Sequence, residues 1–149
     1  MRVRKYFNRD IPVMAEIWND VIDEDSCFPY REKLEGFGAE DFFAAQLYSA
    51  IAVDFGGNIH GVYILHADEE DASGKTADAC FAVKGLSRNQ KVASDLMTDC
   101  LKIAKDKGFT AFRFKNVHTD KKGVCRLCEK FGFEKKQEDE SGCVYYKEL

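Results

Sequence analysis

The order in which hydrophobic patterns follow one another constrains this chain most. Residues 2–7 read as a short strand. Ile11, Met14, Ala15, Trp18, Val21 and Ile22 then recur at helical spacing, with Asp10 as candidate N-cap and Pro12 tolerated in the first turn. Residues 26–38 hold Pro29, Gly36 and Gly38 and read as a loop or a broken second helix, and residues 40–47 read as helical. Apolar runs at 50–53 and 59–67 flank the turn signal Phe55-Gly56-Gly57-Asn58 and predict a hairpin. A third buried run covers 77–83. A long amphipathic helix begins near Asn89, buries Val92, Leu96, Cys100, Ile103 and Ala104, and stops at Gly108. Residues 109–115 alternate as a strand. A further helix carries Val124, Leu127, Cys128 and Phe131 on one face and stops at Gly132, before a final strand pair at 133–137 and 143–147. The order is β-α-α-β-β-β-α-β-α-β-β. Hairpins first and βαβ units later predict an α/β fold with a central mixed, mostly antiparallel sheet and helices on both faces.

Length and composition narrow the functional classes. The 149 residues suit one domain spanning 1–149, and the two prolines, Pro12 and Pro29, mark no linker. With 45% hydrophobic and 32% charged residues, a soluble core is expected. The formal charge of −4 argues against a nucleic-acid partner, and no apolar run approaches a membrane span of about 20 residues. The start, Met1-Arg2-Val3-Arg4-Lys5-Tyr6-Phe7, has charge but no apolar segment of signal type. Six cysteines without such a signal read as reduced thiols, so a cytoplasmic location is expected.

The third buried run leads into Arg88-Asn89-Gln90-Lys91-Val92-Ala93, where a helix begins. A helix N-terminus offers unpaired N–H groups and a positive dipole end, which suits a pyrophosphate. This strand-turn-helix, together with the order of elements, resembles the GCN5-related N-acetyltransferase family. That family shows Gln/Arg-x-x-Gly-x-Gly/Ala here. Arg88 and Ala93 are in register, and Lys91 stands where the middle Gly is expected. Farther on, Val124, Leu127, Glu129-Lys130, Gly132 and Phe133 fit the frame Asn-x-x-Ala-x-x-Leu-Tyr-x-x-x-Gly-Phe, with Lys121 at the Asn position and Cys128 at the Tyr position. Residues 10–20, with Trp18-Asn19, resemble the family's first helix.

The resemblance implies an acyl-CoA N-acyltransferase-like fold. It also implies acetyl-CoA as co-substrate, without a metal, and transfer of the acetyl group to a primary amine of a small molecule or peptide by direct attack. The backbone of Phe81, Ala82 and Val83 would run beside the pantetheine arm, and an N–H there would polarise the thioester carbonyl. Amides of Arg88, Asn89, Gln90, Lys91, Val92 and Ala93 would hold the pyrophosphate, and Asn116 would also contact the cofactor. Cys128 is the candidate acid, since a thiol of pKa about 8.5 can donate a proton. Tyr63, Tyr145 and Tyr146 are substitutes. Glu24, Asp78 and His118 are the base candidates. The resemblance leaves a homodimer open.

Other readings stand beside this one. The changes at Lys91 and Cys128 also suit a CoA-binding or sensing module that is weak or inactive in catalysis. Cys125-x-x-Cys128 suggests a thiol redox or metal module, but no second pair completes a structural zinc set. Asp23-Glu24-Asp25 and Asp68-Glu69-Glu70-Asp71 read as solvated loops or as an acidic rim that attracts an amine.

Overall fold

The computed structural model describes residues 1–85, 90–117, 122–140 and 142–149. Strands β1 (Arg2–Lys5), β2 (Tyr48–Val53), β3 (Ile59–Ala67), β4 (Thr76–Val83), β5 (Ala111–Val117), β6 (Glu134–Asp139) and β7 (Gly142–Glu148) form a seven-stranded sheet in the order β1-β2-β3-β4-β5-β7-β6. The helices are α1 (Ile11–Glu24), α2 (Gly36–Ala45), α3 (Gln90–Asp106) and α4 (Lys122–Lys130). The pairings β1·β2, β2·β3, β5·β7 and β6·β7 are antiparallel, and β4·β5 is parallel at Thr76↔Ala111 and Ala77↔Phe112. The Asp68 N–H donates to Thr76 O (2.9 Å) and the Lys84 N–H to His60 O (2.8 Å), which is one antiparallel register for β3·β4. The mixed, mostly antiparallel sheet follows the expected order of elements.

The chain packs as two compact units, Met1–Leu65 with Cys80–Cys100, and His66–Ala79 with Leu101–Leu149. In the first, alternation along β3 serves two helix layers. Val62 and Ile64 join Cys80 and Ala82 under α1 and α2, where Trp18 and Phe43 are the largest buried rings. Gly61 faces α3: a methyl there would come within 3.0 Å of Leu96 Cδ1 and 3.3 Å of Val92 Cγ1. Val92, Leu96 and Cys100 are fully buried on that helix, and Ile103 is half-buried.

In the second unit, Phe112 and Phe114 of β5 cluster with Phe133, and Leu127 and Cys128 of α4 are buried. Val124, expected on the same face, is exposed. It lies in the first turn of α4, and periodicity gives a helix's face but not how far its neighbours extend along it. Both α3 and α4 end in one motif. Gly108 and Gly132 take φ of 93° and 83°, the N–H of each returns to the carbonyl three residues back, and Phe109 and Phe133 donate to Ala104 and Cys128. Such a left-handed turn favours glycine, and the buried Phe that follows seals it.

Asp10 differs from its expected capping role. It has helical dihedrals and makes no side-chain cap. Its carboxylate instead accepts the Phe7 N–H (2.7 Å) and the Arg4 guanidinium. Burial opposes its charge, but the Arg4 hydrogen bond and the Phe7 amide outweigh burial and hold its pKa below the usual range.

Candidate functional site

The candidate residues are best followed along β4. Phe81 and Val83 are half-buried and Ala82 is fully buried, its side chain turned toward the α1 and α2 layer. The Phe81 ring stands edge-on to Tyr63 at 5.8 Å, and the Tyr63 hydroxyl donates to Asp99 of α3 (2.7 Å). Burial first, then the nearby Cys100 and Asp99, push the Tyr63 pKa well above that of a free phenol. Tyr63 is therefore a fixed strand-to-helix tie.

Beyond β4, Gly85 lies against Glu24, whose Oε1 would be 3.4 Å from a methyl at that glycine. Glu24 thus sits at the exit of β4. Arg88, Asn89 and His118 lie outside the described residues, as do the side chains of Gln90 and Asn116. The 17-residue α3 starts at Gln90 with no acidic residue in its first turn. A first turn without acidic residues adds no negative charge at the positive end of the helix dipole. Val92 is buried and Ala93 half-buried; Lys91 is largely exposed and pairs with Asp95 (3.2 Å), which also takes the Met1 ammonium (3.2 Å).

At the other end of β4, Asp78 accepts the Ala79 N–H (2.8 Å) and faces His66 Nε2 at 4.0 Å. Burial raises its pKa, and this outweighs the opposing pull of His66, the Ala79 amide and Lys115. Asp68 meets the reverse balance. Its side chain is fully buried between Lys115 Nζ (2.9 Å) and the Arg113 guanidinium, which donates through Nε (2.6 Å) and Nη2. Burial opposes its charge, but Lys115, the Glu70 amide and Arg113 together keep its pKa below the usual range. Asp68 is therefore neither a solvated loop residue nor part of an acidic rim. Glu69 and Glu70 are exposed. Asp23 pairs with Lys33 (2.8 Å), so the first acidic run is also partly neutralised.

On α4, the Cys128 thiol is buried and its pKa is pushed up to about 12, first by burial and then by Cys125 and Glu129. Tyr145 of β7 is buried beside it, donating weakly to Glu129 (3.5 Å). Burial and a hydrogen bond with Cys125 raise its pKa as well. Among the described residues no group of three or more His, Cys, Asp and Glu is placed to hold a metal ion. Nor is any helix there long and apolar enough to cross a membrane.

A cavity of about 260 Å³, which the sequence reading missed, opens on the β5–β7–β6 face. Arg113, Lys115, Lys136, Gln137, Val144, Tyr146 and Glu70 line it. The alternation at 112–115 was visible in sequence and signalled one basic face, but which residues stand opposite it depends on register.

Comparison with known proteins agrees with this architecture. A GCN5-related N-acetyltransferase from Kribbella flavida superposes with a TM-score of 0.85 at 20% identity, covering 99% of this chain and 97% of that one. A ribosomal-protein-alanine N-acetyltransferase from Brucella melitensis gives 0.84 at 12% identity with 100% of both chains covered. A phosphinothricin acetyltransferase of the GNAT superfamily from Sinorhizobium meliloti, in complex with AcCoA, gives 0.82 at 13% identity over 99% of this chain and 88% of that one. No curated protein matches by sequence. The sequence profile of the acetyltransferase (GNAT) family matches residues 14–133, most of the chain, from within α1 to just past α4, and the chain belongs to that family.

Proposed function

We propose that the protein transfers the acetyl group of acetyl-CoA to a primary amine of a small molecule or peptide. Family membership and a relative crystallised with AcCoA support the donor. Acetyl-CoA supplies an activated carbonyl. The chain supplies a strand to align it, amides to hold its phosphates and a base for the amine. In this reading the backbone of Phe81–Val83 lies along the pantetheine, an amide there polarises the carbonyl, and the first turn of α3 takes the pyrophosphate.

The observation that carries the mechanism is Asp78, a half-buried carboxylate on β4 that faces His66 and whose pKa is raised by desolvation. A base whose pKa approaches the working pH takes a proton best. Asp78 accepts the proton as the amine forms its C–N bond and the C–S bond breaks. Glu24, at the exit of β4, lies beside the turn assigned to phosphate, where a carboxylate would oppose the ligand's charge. It is the weaker base candidate. Cys128 stays protonated at neutral pH. From a pKa of about 12 to a thiolate of ordinary pKa, about 8.5, proton transfer runs uphill by about 5 kcal/mol. We therefore assign the leaving thiolate's proton to solvent.

The buried Cys128 at the family's Tyr position also supports the second reading, a CoA-binding module without turnover. Thiol release from acetyl-CoA with a panel of primary amines separates the two. Amine-dependent release, kept within about threefold in Cys128→Ala, is expected. CoA binding without release by any amine would favour the module, and loss of release in Cys128→Ala would return the acid role to the thiol.

A further inference from the structure

The β5–β7–β6 cavity lies on the sheet face opposite α4. Phe114 and its partner Tyr145 point toward the buried side, while Arg113 and its partner Tyr146 stand on the other. Val144 and Gln137 are likewise register partners, so β6 completes the floor. Lys136 lies over the Tyr146 ring at 5.9 Å.

The hydrogen-bonding inventory of this cavity is weighted toward donors. Arg113, Lys115 and Lys136 carry donors only, and Gln137 and Tyr146 add more. Among the described residues, Arg113 Nη1, the Gln137 amide and the Tyr146 hydroxyl have no hydrogen-bond partner. Glu70 is the one carboxylate among the lining residues; its side chain is 69% exposed, and its Oε2 lies 3.9 Å from Arg113 Nη2 and 3.6 Å from Lys115 Nζ, so an incoming carboxylate would displace it outward. Asp68 does not cancel the site. It is buried behind Arg113 and Lys115 and fixes both heads, while Arg113 Nη1 stays available to the cavity. A rigidly held guanidinium beside an ammonium matches a carboxylate. Lys115 also lies close enough to Asp78 for each charge to act on the other. The carboxylate seat and the proposed base therefore share one neighbour.

We propose that this cavity binds the carboxylate of the acceptor, so that the substrate is a free amino acid whose amine is presented toward Asp78. The inference rests on the acyl-transfer reading and names its substrate class. A small cavity with this inventory suits a compact molecule with one acidic group better than an uncharged amine.

The test uses L-amino acids and the matching L-amino-acid amides, measured by saturation-transfer NMR without CoA and by thiol release with acetyl-CoA. Acids are expected to bind at least about tenfold more tightly than their amides. Lys136→Gln should remove most of that preference, raising the acid's KM about tenfold with kcat within twofold. Lys136 is half-exposed and pairs with the exposed Glu134 (2.7 Å), so this variant leaves the core intact. Arg113→Gln, checked for folding by circular dichroism, should show the same loss. Equal binding of acids and amides, a preference unchanged in both variants, or no acid bound at 10 mM (on the order of the weakest specific contacts) would overturn the proposal. Preferential binding of acids with no thiol release would leave the carboxylate seat standing and count against acyl transfer alone.

Discussion

Asp68 and Asp78 flank one loop and meet opposite electrostatic fates. Two cations and an amide close around Asp68 and stabilise its charge, whereas for the half-buried Asp78 desolvation outweighs His66, the Ala79 amide and Lys115 and pushes it toward its neutral form. As the base, Asp78 works when deprotonated. Turnover should therefore rise with pH through its raised pKa, giving an acidic limb above the ordinary carboxylate value of about 3.9. Asp78→Asn should abolish that limb and lower kcat by about 100-fold or more, with CoA affinity unchanged. A pH profile of thiol release decides it; an unaltered limb in the variant would remove Asp78 from the role. The sequence offered Asp78 as a base candidate beside Glu24 and His118. It did not separate Asp78 from Asp68, whose partners Arg113 and Lys115 lie 45 and 47 positions away. Local pattern carries no information on such long-range pairs.

Elements were more legible than contacts. The stops at Gly108 and Gly132 could be read because a helix end is a local event, settled within six residues. The close approach of α3 to β3 could not. Gly61 sits inside a run that reads as ordinary strand, yet a methyl there would press on Leu96, on Val92 and, at 3.3 Å, on the Ala82 carbonyl. Because backbone cannot yield as a side chain tip can, Gly61→Ala should lose about 1–2 kcal/mol, visible as a Tm lowered by several degrees in thermal unfolding. A Tm at or above the parent value would show that α3 moves off the strand without cost. Val124 illustrates the same limit: its spacing matched the buried face of α4, and only the folded chain shows it exposed.

For the molecule as a whole, the order of strands and helices follows from hydrophobic periodicity, whereas the family rests on the sequence profile that matches residues 14–133. Of the three departures from the family pattern, Lys121 lies outside the described residues, and those at Lys91 and Cys128 have different weights. Lys91, in the first turn of α3, is largely exposed and pairs with Asp95, whereas Cys128 stands at the position of the family's Tyr as a buried thiol whose pKa is pushed up to about 12. The central claim is that this chain is built around a CoA thioester, and calorimetric titration of the purified protein with acetyl-CoA tests it most directly. The account predicts saturable one-to-one binding, with a dissociation constant in the micromolar range common for enzyme substrates, about 1 μM to 1 mM; no detectable heat of binding at millimolar ligand would contradict it.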